Sequence, residues 1–120
     1  MKLTGSCHCQ NIRFELAWPD DAAEIPARAC DCTFCRKHGG VWTSNPKAAL
    51  RVSMQAPDRV SRYAFGTATA RFHICTECGV VPVVTSEIDG HLYAVVSVNA
   101  LEGVPAARRK RNWIRDVEFG

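Results

Sequence analysis

The sequence predicts a mainly β domain, a compact sandwich or a barrel-like pair of sheets, stapled by metal-binding cysteines. Three observations predict it. Short runs that alternate apolar and polar residues recur along the chain, each closed by turn residues, as in proteins built from many short strands. Helical periodicity is nearly absent. Seven cysteines fall into three tight clusters in a chain of 120 residues, a length that buries a limited core and gains from such staples.

The elements follow in order. Ile12-Arg13-Phe14-Glu15-Leu16 has the period of a half-buried strand, and Trp18-Pro19-Asp20-Asp21 ends it with turn chemistry. Residues 22–26 read as a loop. Ala27 to Cys30 makes a short strand that feeds the densest cysteine cluster. Thr33 to His38 makes one helical turn, which Gly39-Gly40 stops. Val41-Trp42-Thr43-Ser44 has strand composition and Asn45-Pro46 closes it. Leu50 to Met54 and Val60 to Phe65 alternate again, and Ala70 to Ile74 leads into the third cluster. Val80 to Val84 is strongly β-forming, although Pro82 cannot donate a ladder bond and argues for an edge or a bulge. Asp89-Gly90 is a hairpin signal. His91 to Val98 reads as the most buried strand. Arg108-Arg109-Lys110-Arg111 reads as a solvated basic stretch in a tail from about residue 104, and the alternation after it predicts one last strand.

Composition narrows the classes. With 47% hydrophobic and 22% charged residues the chain is globular rather than disordered. No apolar run approaches the ~20 residues that cross a bilayer, so no membrane partner is expected. The first residues carry no apolar signal region, and a reducing cytoplasm is the expected setting. The formal net charge is +3, but seven thiolates and two zinc dications would cancel it. Overall charge therefore gives no support for a nucleic-acid partner.

In a reducing setting, clustered thiols read as metal or redox sites, and an odd count does not complete a disulfide framework. Cys75-Thr76-Glu77-Cys78 offers one edge of a zinc tetrahedron, with Gly79 freeing the backbone for a tight turn. Cys7-His8-Cys9 is a tighter pair of the same kind. Together they make a closed structural site. Cys30, Cys32 and Cys35 are left with each other. Three protein ligands and an open fourth position is the pattern of a catalytic zinc. The alternatives are a thioredoxin-like pair at Cys75 and Cys78, for which no βαβ pattern is present, and a second structural zinc closed by His38. His8 is expected to point away from its neighbouring cysteines and His91 to be exposed. His73 can share a face with Cys75 and reads as a surface or supporting group. Arg36 and Lys37, directly behind the trio, are either simply solvated or offset its negative charge and meet the carboxylates of an acidic thiol.

These residues carry a resemblance. Gly5-Ser6-Cys7-His8-Cys9, Ile12-Arg13-Phe14-Glu15, Cys30-Asp31-Cys32-Thr33-Phe34-Cys35-Arg36-Lys37 with Gly39-Gly40, and Phe72 to Gly79 resemble the glutathione-dependent formaldehyde-activating enzyme family, which shares its domain with centromere protein V. The likeness runs from about Leu3 to about Gly103, and all seven cysteines match in order and spacing. It implies one β-tent-like zinc-binding domain of small antiparallel sheets over residues 1–120. It implies a structural zinc on Cys7, Cys9, Cys75 and Cys78 and a catalytic zinc on Cys30, Cys32 and Cys35. The implied chemistry is that of a carbon–sulfur lyase, joining glutathione or a similar thiol to formaldehyde or another aldehyde, or reversing that step. Gln10 stands where the family usually has glycine, so that turn is expected to differ. The competing expectation is a non-catalytic zinc scaffold or interaction module.

Overall fold

The computed structural model describes residues 1–20 and 24–103, and the backbone of 109–113. Its strands form two sheets. The smaller one runs β10 (Leu101–Glu102), β1 (Lys2–Ser6), β2 (Ile12–Ala17), β5 (Ala49–Met54). The larger runs β11 (Arg109–Trp113), β3 (Ile25–Ala29), β4 (Val41–Thr43), β9 (His91–Ser97), β8 (Val83–Ile88), β7 (Ala70–Cys75), β6 (Val60–Tyr63). A helix of six residues, α1 (Thr33–His38), links β3 to β4.

Strand β2 shows why the sheets meet. Ile12, Phe14 and Leu16 are buried while Arg13, Glu15 and Ala17 are exposed, so one face of the strand turns to the core. Phe14 and Leu16 join Leu3 of β1 and meet Ile25, Ala27, Val83 and Val96 of the larger sheet. The larger sheet is also covered on its outer face. There Phe72 and Val84, paired across β7 and β8, pack with Trp42 and Cys35. A third cluster, Cys7, Ile12, Val60 and Cys75, closes one end of the interface between the sheets.

Most elements lie where the sequence puts them, and the hairpin at Asp89-Gly90 forms with φ of 53° and 76°, the left-handed pair of a two-residue turn. The differences have physical causes. The sheets are open rather than closed into a barrel, and β11 runs parallel to β3 at an edge of the otherwise antiparallel larger sheet. The loop expected over 22–26 gives way to β3 at Ile25, because Ile25 and Ala27 are fully buried; Pro26 lies outside the part of β3 that pairs with β4. Pro82 does not mark an edge. It ends just before β8, a central strand, and its carbonyl accepts from the Ser97 N–H at 2.8 Å. Strand β9 is buried only in its second half, since His91, Leu92 and Tyr93 extend past the core and are exposed. Strands β1 and β10 carry too few alternating residues to stand out in the sequence. The last strand takes in part of the basic run itself, at Arg109–Trp113, while residues 104–108 and 114–120 lie outside the described residues.

Gly5 sets how closely β1 and β2 approach. A Cβ there would stand 2.2 Å from the Phe14 ring and 2.6 Å from the Ala100 carbonyl oxygen. Neither the ring, fixed in the core, nor the backbone yields cheaply. We predict that Gly5→Ala lowers stability by about 2 kcal/mol in urea unfolding, the scale of overpacking a core.

Candidate metal centres

The described cysteines gather into two groups. Sulfurs of Cys7, Cys9, Cys75 and Cys78 lie within 4.8 Å of one another, and so do those of Cys30, Cys32 and Cys35. All seven thiols are free.

Two knuckles of one pattern build the first group. In each, the first cysteine's N–H donates to a carbonyl five residues on, Cys7 to Ile12 at 2.9 Å and Cys75 to Val80 at 3.0 Å. Each loop turns through a left-handed residue, Gly79 at φ 81° and Gln10 at φ 70°. Gly79 adopts this at no steric cost, as its position after Cys78 suggests. Gln10 keeps the left-handed turn despite its side chain, held by Arg13, whose Nε donates to the Gln10 carbonyl and whose Nη2 donates to Oε1 at 2.9 Å. The Cys7 loop belongs to the smaller sheet and Cys75 ends β7 of the larger one, so this group ties the sheets together. Asn11 adds a neutral brace, donating to the Ala56 carbonyl and accepting from its N–H. Arg59 and Glu77, 3.2 Å apart, brace the second knuckle from outside.

The distances fit zinc. A tetrahedral ion with Zn–S near 2.3 Å sets its sulfurs about 3.8 Å apart. Cys7 and Cys9 are 3.8 Å apart and Cys9 and Cys75 are 3.5 Å apart. Metal-free, the thiols share protons unevenly. Burial opposes ionisation of Cys78, yet the N–H groups of Cys9 and Val80 and the thiols of Cys75 and Cys7 donate to its sulfur, lowering its pKa to about 6. At Cys9 the Asn11 N–H pulls the other way, but contacts with Cys75 and Cys7 hold the proton and push the pKa up to about 12.

The second group sits on the outer face of the larger sheet, around the start of α1. Cys32 is the N-cap of this helix, and its sulfur accepts from the Cys35 N–H at 3.4 Å. Burial raises the Cys32 pKa, but the Cys35 N–H, the thiols of Cys35 and Cys30, and the Phe34 N–H bring it below the ordinary value. Cys35 is buried, and burial pushes its pKa up to about 12 although Trp42 Nε1 donates to its sulfur at 3.4 Å. Gly39, at φ 75°, ends the helix, and Gly40 leaves room for the Trp42 ring, which a Cβ would approach to 2.8 Å.

No His, Cys, Asp or Glu among the described residues joins the trio. His38 stacks on Phe34 instead, with ring centroids 5.3 Å apart. Arg36 and Lys37 are exposed on α1, and Arg36 Nε lies 3.8 Å from Asp31. His8 and His91 are exposed, the latter against Tyr93. His73 is not on the surface. It is 8% exposed, and its Nε2 pairs with Thr85 Oγ1 at 2.8 Å.

One feature of this second site went unforeseen. Phe34 inside the C-x-x-C packs against Phe72, Tyr63 and Phe65, with centroids 4.6 to 5.7 Å apart. Tyr63 and Phe65 are 44% and 37% exposed, so aromatic rings stand in solvent beside the trio. Tyr63-x-Phe65 carries the signal in the sequence, but only the pairing of β6 with β7 brings it to Phe72.

Gln10→Gly relieves a left-handed side-chain residue and should raise stability by about 1 kcal/mol, read as a higher urea midpoint with unchanged slope. Zinc uptake by the metal-free protein must displace the protons that Cys9 and Cys35 hold at neutral pH. Apparent zinc affinity, measured by chelator competition, should therefore rise from pH 7 to pH 9, with protons released in calorimetry. Cys78, already thiolate above pH 6, adds to that slope only at lower pH. Uptake without proton release would contradict this assignment.

Comparison with known proteins agrees with the cysteine geometry. The sequence model of the family described as glutathione-dependent formaldehyde-activating enzyme matches residues 2–115. The fold is similar to a structural-genomics crystal structure of a Rhodobacter sphaeroides protein, with a TM-score of 0.68 and 31% identity over 92% of this chain and 98% of that one. With nearly its whole length matched and both cysteine groups assembled, the chain belongs to the glutathione-dependent formaldehyde-activating enzyme family.

Proposed function

We propose that this chain is a single zinc-binding domain that acts as a carbon–sulfur lyase in a reducing cytoplasm. In this reading it joins glutathione or a similar small thiol to formaldehyde or another aldehyde, or reverses the step. Cys7, Cys9, Cys75 and Cys78 hold a structural zinc, and Cys30, Cys32 and Cys35 hold the catalytic one. The observation that carries the reading is the trio itself: three convergent sulfurs that no further described ligand side chain joins, in a chain of this family. A scaffold with two closed zinc centres would need such a ligand, and His38, the nearest in sequence, is stacked on Phe34.

A zinc ion held by three thiolates would supply a position at which a thiol gives up its proton near neutral pH. The protein's own groups do the rest. The Cys35 N–H and the Trp42 indole N–H donate to the sulfurs of Cys32 and Cys35, stabilising negative charge on the trio. Arg36 and Lys37, exposed beside the site, take the carboxylates of an acidic thiol such as glutathione. The aromatic wall of Phe34, Tyr63 and Phe65 shields one side of the site from water. In the reaction a C–S bond forms at the aldehyde carbon, the C=O π bond breaks, and the thiol proton ends on the former carbonyl oxygen. The reverse direction returns thiol and aldehyde.

Cys32→Ala tests this. Bound zinc should fall from two per chain to one by elemental analysis, and thiol-dependent consumption of formaldehyde should drop at least a hundredfold. Far-UV circular dichroism should stay unchanged, because the four-cysteine centre still joins the sheets. Full turnover with a single zinc per chain would overturn the proposal.

A further inference from the structure

A cavity lies on the opposite face of the larger sheet from the trio. It spans about 740 Å³ between the two sheets, within the size range of small-molecule pockets. Leu16, Leu50 and Val52 of the smaller sheet form one wall, and Val83 and Val96 of the larger form the other. Exposed Leu92 and Tyr93 stand at its rim, where β9 runs past the core.

Two polar atoms make this more than a gap in the packing. Among the described residues, three buried side-chain polar atoms find no hydrogen-bond partner: Trp18 Nε1, Thr43 Oγ1 and His73 Nδ1. The last two belong to residues lining this cavity. Thr43 is fully buried and His73 is 8% exposed. Leaving a buried polar atom unpaired forfeits its hydration without compensation, so two in one apolar cavity call for a partner. Register fixes their spacing. Thr43 pairs with Val96, Val96 with Val83, and Val83 with His73, one row across β4, β9, β8 and β7. Three strand spacings separate the ends of that row by about 14 Å, with two valines between. One small polar group cannot reach both ends.

We propose that this cavity binds an elongated apolar molecule carrying a hydrogen-bonding oxygen near each end, one meeting Thr43 Oγ1 and the other His73 Nδ1. Thr85 Oγ1, bonded to His73 Nε2, fixes the ring so that Nδ1 remains for the ligand. The site is independent of the lyase reading, because the trio lies on the other face of the sheet.

The test uses zinc-loaded, isotope-labelled protein titrated by NMR with 1,8-octanediol and, separately, 1-octanol. Both should give saturable shifts at Thr43, Val83 and Val96. Thr43→Val, nearly isosteric, and His73→Phe should each weaken the diol about tenfold, the cost of one unmade hydrogen bond in a buried site. Either variant alone should change 1-octanol less than twofold, since a single hydroxyl can turn to the remaining partner. The absence of saturable shifts overturns the proposal, as do shifts centred on Phe34 and the trio. So does an equal response of the two ligands to each variant, the result expected if ordered water already satisfies both atoms. Because the readout is binding, loss of lyase activity in any variant does not bear on it.

Discussion

Seven thiols in two tight groups are the constraint on which the fold depends. Four sulfurs within 4.8 Å of one another cannot all ionise without a cation between them. Their ligand loops come from different sheets, so whatever holds the sulfurs also holds the sheets. The apolar interface between the sheets leaves a cavity open at one side. Stability at that end of the molecule thus rests on the four-cysteine group and the small cluster of Ile12 and Val60 around it. In small metal-stapled domains, binding free energy is folding free energy.

The two centres differ because their backbones differ. The four-cysteine group is made by two loops that converge from separate strands, and each supplies two cysteines. The trio comes from one loop and the first turn of a short helix. That arrangement supplies three sulfurs and then leads the chain away through Gly39, with His38 turned onto Phe34. A group of four cysteines and a group of three can therefore share a small domain. The former sits between the sheets and the latter on an outer face bordered by exposed rings.

Much of this was legible in the sequence. The cysteine spacing anticipated both groups, Gly39 the end of the helix, and Asp89-Gly90 the hairpin, because each signal is local. Boundaries failed where long-range burial decided them. Ile25 becomes a strand residue because it meets the smaller sheet, and β9 loses its first half to solvent because nothing packs over Leu92 and Tyr93. Gln10 concealed its left-handed turn, since only the bonds from Arg13 reveal how a side-chain residue is held there. The aromatic wall and the row from Thr43 to His73 were invisible because they exist only through strand pairing.

Strand β7 carries more of this architecture than its six residues suggest. Phe72 faces the aromatic wall, His73 faces the cavity, and Cys75 completes the centre between the sheets. Three separate features thus hang on one strand's alternation. Inserting or deleting a single residue between His73 and Cys75 would reverse the faces of the residues before it, presenting an imidazole to the aromatic cluster and a phenyl ring to the cavity while the knuckle still anchored the strand's end. A length change in this short segment therefore disturbs more of the molecule than a substitution there does, whereas the β4–β5 and β6–β7 connections carry no such register.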